Sequence, residues 1–283
     1  MNFFIRCINK LEHEFIKFRV KKSNLEYGIK RNKEKIIVSL TTFKERLDYI
    51  EPCLKSIILQ DTKPDKIIVW IGSDTDEAEV EYKLGKFKKY GIEFMYDTEE
   101  DYKSHKKYIY AIDKYKDAII ITMDDDLIYA KNTITTLLKM HKKFPYAIVA
   151  RRVHKIMFKN GVILPYKEWK GEYKKEKKPS HFLIATTGAG TLFPPNSLAK
   201  EVTNFELIRE LALTADDIWL KFMALRKNTK VVWAGNKIQM PATIKLSQNK
   251  SLAQENVIEN KNDKYIKKIM ETFNITEDDF YKE

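Results

Sequence analysis

Between residues 36 and 123 the chain repeats one pattern: a short unbroken apolar run, then a stretch whose apolar residues recur three and four apart. The runs are residues 36–40, 66–71, 92–96 and 118–123. Leu47, Ile50, Leu54 and Ile57 mark the first intervening helix, Val80, Leu84 and Phe87 the second, and residues 105–116 the third. Pro52 is tolerable only in a first helical turn, and Gly91 closes the second helix. A strand with one wet face alternates apolar and polar side chains, whereas a strand apolar throughout is covered on both faces. Such strands separated by helices predict an α/β fold with a mostly parallel central sheet flanked by helices. Ligands of these sheets gather at the carboxyl ends of the strands. That singles out Thr41 and Thr42, Asp74, Asp97, and Asp124-Asp125-Asp126.

The alternation weakens beyond residue 145. Residues 147–153 read as a further strand, 182–186 and 191–193 as two short ones around Gly188-Ala189-Gly190, 215–226 as a helix and 230–234 as a strand. Residues 167–178, KEWKGEYKKEKK, read as an exposed, mobile, charge-rich loop. Ile266, Ile269, Met270 and Phe273 form one face of a terminal helix. The reading gives a single main domain over residues 36–245, preceded by a basic helical segment over 1–35 and followed by a polar, helical extension over 246–283.

Residues 1–35 hold ten basic residues against four acidic ones, half of the net charge of +12. Phe4, Ile8, Leu11, Phe15 and Phe18 lie on one face of a helix there. Two readings stand: the helix packs on the domain's own surface, or it lies on an anionic membrane. The basic excess favours polyanionic partners, among them nucleotide phosphates, nucleic acid and an anionic membrane, without choosing one. With 43% hydrophobic residues the chain can bury a core, which argues against disorder. Cys7 and Cys53 are too few for a disulfide framework and fit a reducing compartment. No stretch approaches the ~18 apolar residues of a membrane span. The first residues are broken by Arg6, Lys10, Glu12, Glu14 and Lys17, unlike a secretory signal, so the expected location is the cytoplasm.

Three constellations can carry chemistry. Asp124, Asp125 and Asp126 end a buried strand, where packing alone does not place carboxylates. Their oxygens suit hard divalent cations such as Mg²⁺ or Mn²⁺, and a cation there can bridge a diphosphate. On strand periodicity Asp124 and Asp126 share a face and Asp125 points elsewhere. Asp216 and Asp217 open a helix, either as dipole-favoured caps or with one of them as a general base. In Thr186-Thr187-Gly188-Ala189-Gly190-Thr191, two glycines permit a sharp turn or a close approach of backbone to ligand. His105, His154 and Trp169 each stand open between a site role and packing.

In this order and spacing the chain resembles the GT-A glycosyltransferases of glycosyltransferase family 2, over residues 36–245, and among them bacterial enzymes of capsular or surface polysaccharide synthesis. The resemblance implies that Thr41, Thr42 and Asp74 line a nucleotide pocket. It implies that Gly188, Ala189 and Gly190 line the nucleotide-sugar site with Asp124 and Asp125. It further implies that Asp124 and Asp126 hold the Mn²⁺ or Mg²⁺ of a nucleoside diphosphate sugar, with a UDP-sugar favoured. Ser104-His105-Lys106-Lys107 occupies the place of the family's Ser-x-Ala-Arg-Asn, so Lys107 replaces an arginine and can meet a phosphate as a point charge. Asp216-Asp217 matches a Glu-Asp pair whose second member is the catalytic base, with Asp216 the fallback. The acceptor implied is a saccharide or a lipid-linked glycan, and the displacement inverts the anomeric centre. Two other classes fit the residues less well. A haloacid-dehalogenase-type phosphohydrolase places its nucleophile after the first strand, not the fourth. A basic nucleic-acid-binding protein would show a recognition motif, and the lysines here are dispersed.

Overall fold

The structure, a computed structural model, describes residues 3–96, 102–235, 240–244 and 260–282, with side chains from residue 10 onward. Asp97 and the side chains of Phe4 and Ile8 lie outside what is described. In chain order the first half runs α1 (Phe3–Lys22), β1 (Ile36–Thr42), α2 (Glu51–Ile58), β2 (Lys66–Ile71), α3 (Glu77–Leu84), β3 (Ile92–Tyr96), α4 (Lys106–Lys114), β4 (Ile119–Thr122), β5 (Leu127–Ile128) and α5 (Thr133–Lys143). The second half runs β6 (Ile148–Ala150), β7 (Val153–Lys155), β8 (Phe158–Lys159), β9 (Val162–Ile163), β10 (Leu183–Ala185), β11 (Thr191–Phe193), α6 (Phe205–Leu211), α7 (Asp216–Arg226), β12 (Val231–Trp233), β13 (Ala242–Thr243) and α8 (Lys261–Phe273).

Seven strands form the central sheet in the order β12-β6-β11-β4-β1-β2-β3. All pairings are parallel except those of β11, which runs against both β4 and β6. The register explains why the runs are apolar throughout. Val38 pairs with Ile67 and Ile121, and these side chains enter the core with α2, α3 and α5. Ile37 and Ile120 also pair, but they point to the opposite face, into the core with α4, α7 and α8. Successive residues of each strand are therefore buried on opposite sides.

Four expectations change. The run 147–153 is two strands: β6 belongs to the large sheet, whereas β7 pairs with β10 in a separate two-stranded sheet. Residues 167–178 are not a loose loop. Trp169 is buried against the core and donates from Nε1 to the Leu164 carbonyl at 2.8 Å, and Lys177 lies over the Trp233 ring. The second helix ends at Leu84 and continues as a 3₁₀ turn to Tyr90, before Gly91 takes a left-handed φ of 93°. Helix α1 packs on the domain, but through Ile16 and Val20 against Ile128, Ala130 and Ala242. Leu11, Phe15 and Phe18 of the expected apolar face stay exposed. Residues 28–32 tie the following segment to the sheet, with Gly28 N–H donating to Tyr90 O and Asn32 N–H to Asp65 Oδ1. Among the described residues no helix is long and apolar enough to cross a membrane.

Candidate active site

Because β11 runs against β4 and β6, its amino end lies beside their carboxyl ends, at the end of the sheet where β1 and β2 also finish. The acidic turn after β4 and the glycine segment before β11 therefore meet. Tyr129 fastens them: its hydroxyl donates to the Gly188 carbonyl at 2.6 Å and accepts from the Asp124 N–H at 2.7 Å. Gly188 is required by this contact, since a Cβ on it would stand 1.6 Å from Asp124 Oδ2. Gly190 adopts φ +102°, a region open to glycine and strained for other residues.

The three aspartates do not divide as strand alternation predicts. Residues 125 and 126 form a turn, so period two is lost after Met123. Asp125 and Asp126 both reach Arg46, the latter at 3.1 Å. Asp124 turns the other way, to Lys107 Nζ at 2.8 Å. Asp125 is buried and also accepts from Thr42 Oγ1 at 2.7 Å. Burial pushes its carboxyl up to about 6 although the Arg46 guanidinium pulls the other way. Asp125 and Thr42 thus support the floor of the site, and their polar atoms are turned to each other. Arg46 sits in the 3₁₀ turn Lys44–Arg46, and nothing in the sequence pattern marked it.

Asp216 and Asp217 open α7, yet neither side chain caps it, and Ala215 is the N-cap. Both reach across to the glycine segment. Asp217 Oδ1 accepts from Thr187 N–H at 2.8 Å and from Thr187 Oγ1–H at 2.6 Å. Among the described residues no hydrogen bond reaches its Oδ2. Asp216 is buried and accepts from Lys107 Nζ at 2.8 Å and Ser104 Oγ at 2.7 Å, and it shares at 3.0 Å the one Thr187 hydroxyl proton that lies nearer to Asp217. The two carboxyls are driven apart. The Lys107 ammonium and its hydrogen-bond donors hold Asp216 below the usual carboxylate range against the cost of burial. Burial and the charge on Asp216 raise Asp217. Lys107 itself is 3% exposed between Asp124 and Asp216, and its carboxylate neighbours raise its pKa despite burial. It links the two acidic clusters.

The remaining candidates fall at different depths. Thr41 spends its hydroxyl on the Trp70 carbonyl at 2.9 Å. Asp74 is exposed after β2, and the Lys106 ammonium lies beside Gly72 in the same loop. His105 is fully buried between Tyr108 Oη and the Ala212 carbonyl, and burial lowers its pKa, so it packs. His154 accepts the Glu172 N–H on Nδ1 and meets the edge of Tyr166. Trp169 also stacks near Tyr166, at 4.9 Å between ring centroids. Tyr166 feels the charge of Asp217, which together with burial raises its phenol.

Among the described residues no three His, Cys, Asp or Glu side chains form a metal-holding group. Asp124 and Asp126 nonetheless offer two hard oxygen donors at the rim of the site, 36% and 17% exposed. Mg²⁺-type cations commonly take one or two carboxylates and complete their shell with substrate phosphates and water. In donor type the two carboxylates fit a cation that arrives with a diphosphate, while here Asp124 is paired with Lys107 and Asp126 with Arg46.

A family model, glycosyl transferase family 2, matches residues 37–196, more than half of the chain. The chain belongs to this family. Within the family 2 domain the match takes in β1, the acidic turn, Lys107 and Gly188, while Asp216 and Asp217 stand beyond it. Among solved structures, S. aureus TarS is 16% identical over 74% of this chain and 37% of its own, with a TM-score of 0.50. The mannosyltransferase PcManGT from Pyrobaculum calidifontis, in complex with GDP-Man and Mn²⁺, is 15% identical over 83% of this chain and 64% of its own, with a TM-score of 0.46. The likeness to TarS is one of fold, the GT-A arrangement of a mostly parallel sheet flanked by helices. This family 2 chain spans less than two thirds of either protein. No curated protein sequence matches it.

Proposed function

We propose that this family 2 domain transfers a sugar from a nucleoside diphosphate donor to an acceptor hydroxyl, with Asp217 as the base. One observation carries the assignment: both hydrogen bonds to Asp217 use Oδ1, from two donors of the same residue, Thr187, which leaves Oδ2 for a proton. Thr187 fixes the carboxylate, and Asp216 beside it raises its basicity without competing, because Lys107 and Ser104 keep Asp216 ionised and occupied. A hydroxyl placed at Oδ2 gives up its proton as its oxygen attacks the anomeric carbon, and the nucleoside diphosphate leaves from the opposite face. One displacement of this kind inverts the configuration.

Asp124 and Asp126 are the residues that would hold Mn²⁺ or Mg²⁺. When bound, the cation supplies charge neutralisation to the departing diphosphate. Lys107 and Arg46 engage these same carboxylates, and so keep the acidic turn from repelling itself. Thr41, Asp74 and Lys106, at the ends of β1 and β2 and the start of α4, frame the nucleotide side. The acceptor is a saccharide or a lipid-linked glycan, and the process is bacterial surface polysaccharide synthesis on the cytoplasmic side.

Transfer assayed with nucleoside diphosphate sugars and Mn²⁺ or Mg²⁺ tests the proposal. EDTA or Asp126→Ala is expected to abolish turnover, and NMR of the product to show an anomeric configuration opposite to the donor's. Undiminished turnover in EDTA would remove the metal, and a retained configuration would remove the single displacement.

A further inference from the structure

Helix α1 carries two apolar strips that point in nearly opposite directions. Ile16 and Val20 face the domain, 5% and 3% exposed. Leu11, Phe15 and Phe18 face outward, 72%, 66% and 61% exposed. With 3.6 residues per turn the outer strip lies about 150° around the helix from the inner one. Of the exposed lysines, Lys22 lies within the outer strip, and Lys21 and Lys10 flank it about 60° and 80° around the helix from Phe18, beyond Glu14. Glu14 is the acid nearest to it, and it is paired with Lys17 at 3.0 Å. Three large side chains held in water beside lysines are unlike the scattered single apolar residues of an ordinary surface.

We infer that the outer strip of α1 docks on an anionic phospholipid bilayer. Charge selects this occupant. A leaflet rich in anionic headgroups attracts the lysines, whose stems lie along the apolar boundary while their ammonium groups reach phosphate. Leu11, Phe15 and Phe18 then enter the region between headgroups and acyl chains, as the apolar face of an interfacial helix does. A second copy fits poorly, because pairing α1 with itself brings together two helices that each hold six basic and two acidic residues. The inner strip ties the docked helix to the site: Ile128 and Ala130, on which it rests, follow the acidic turn by a few residues. Docking through α1 therefore brings the donor turn to the bilayer, where a lipid-linked acceptor is presented. The surface itself does not depend on the role of Asp217.

Flotation of the full chain with phosphatidylcholine vesicles, with and without phosphatidylglycerol, tests the inference. Binding to the anionic vesicles is expected to be at least roughly tenfold tighter and to weaken with salt. The triple variant Leu11→Gln/Phe15→Gln/Phe18→Gln is expected to lose it, and Lys10→Gln/Lys21→Gln/Lys22→Gln to reduce it. Because all six side chains are exposed, both variants should keep the wild-type circular dichroism and melting temperature. Equal flotation by the apolar variant, or no flotation by the wild type, would overturn the inference. So would self-association that the same variant abolishes, since the occupant would then be a second copy. Transfer to a water-soluble acceptor is expected to be the same in the variants as in wild type, so this result and the catalytic one fail separately.

Discussion

At Gly188 a hydrogen stands where any other residue would put a carbon into the Asp124 carboxylate. The site tolerates nothing larger, because the Tyr129 hydroxyl locks the Gly188 carbonyl and the Asp124 N–H to one another. Gly188→Ala is expected to keep the fold while swinging Asp124 away. Loss of a group that orients a metal ligand lowers metal affinity by roughly 10–100-fold, which titration of Mn²⁺ with UDP would read. Unchanged affinity would mean that Asp124 is not a ligand. Arg46 makes a different case. Removing one partner of a buried ion pair costs about 3–5 kcal/mol, so Arg46→Met should destabilise by that order. The sign with pH follows from Asp125, whose folded-state pKa is already raised from 3.8 to about 6 and rises further without the guanidinium. The folded variant then holds a proton that the unfolded chain releases. The wild type holds the same proton up to about pH 6, so this part of the penalty is absent below that value, grows as pH rises from there to the variant's higher folded value, and then levels off. Urea melts on either side of that window would show it, and a loss independent of pH would contradict it. At this scale the sequence marks the aspartates and glycines, because carboxylates after an apolar run contradict packing, but not how the three aspartates divide between Arg46 and Lys107. Arg46 is not marked, since a lone arginine in a short turn looks like any solvated cation until Asp125 is seen beneath it.

Elements divide by whether their partners lie nearby in sequence. β1 to β4 and their helices were legible because each run is apolar on both faces, whichever helices cover it, and each helix follows its strand closely in sequence. The split of residues 147–153 was not, because β7 takes its partner β10 from some thirty residues on, across residues 167–178. That segment misleads for a second reason: its charges describe its outer face and say nothing of the one it turns inward. Trp169 is the anchor, with its indole N–H satisfied and its ring against Tyr166. Trp169→Ala is expected to cost about 3–5 kcal/mol in a denaturant melt, and a loss near zero would restore the picture of a mobile loop. α1 illustrates the same limit. Its periodic residues were found, but spacing does not say which of two strips faces the protein. The bulkier strip is the one left in water, while Ile16 and Val20 are buried.

Across the whole molecule the topology gathers three distant parts of the chain. β4 delivers Asp124, α4 delivers Lys107 between the two acidic clusters, and the reversal at β11 presents Thr187 to the start of α7. α8 braces α7 from outside: Thr214 meets Tyr265 at 3.1 Å, and Phe273 packs near Trp219. The division of labour proposed above puts donor binding on Asp124 and Asp126 and proton removal on Asp217. Single-turnover transfer by Asp217→Asn tests that division most directly, with metal-dependent nucleotide affinity measured on the same protein. The amide preserves the shape and the acceptor oxygen that Thr187 holds, but it takes no proton. Affinity is expected to be unchanged and the transfer rate to fall by about 10²–10⁴-fold, the usual contribution of a positioned base; a near-normal rate would contradict the assignment of Asp217.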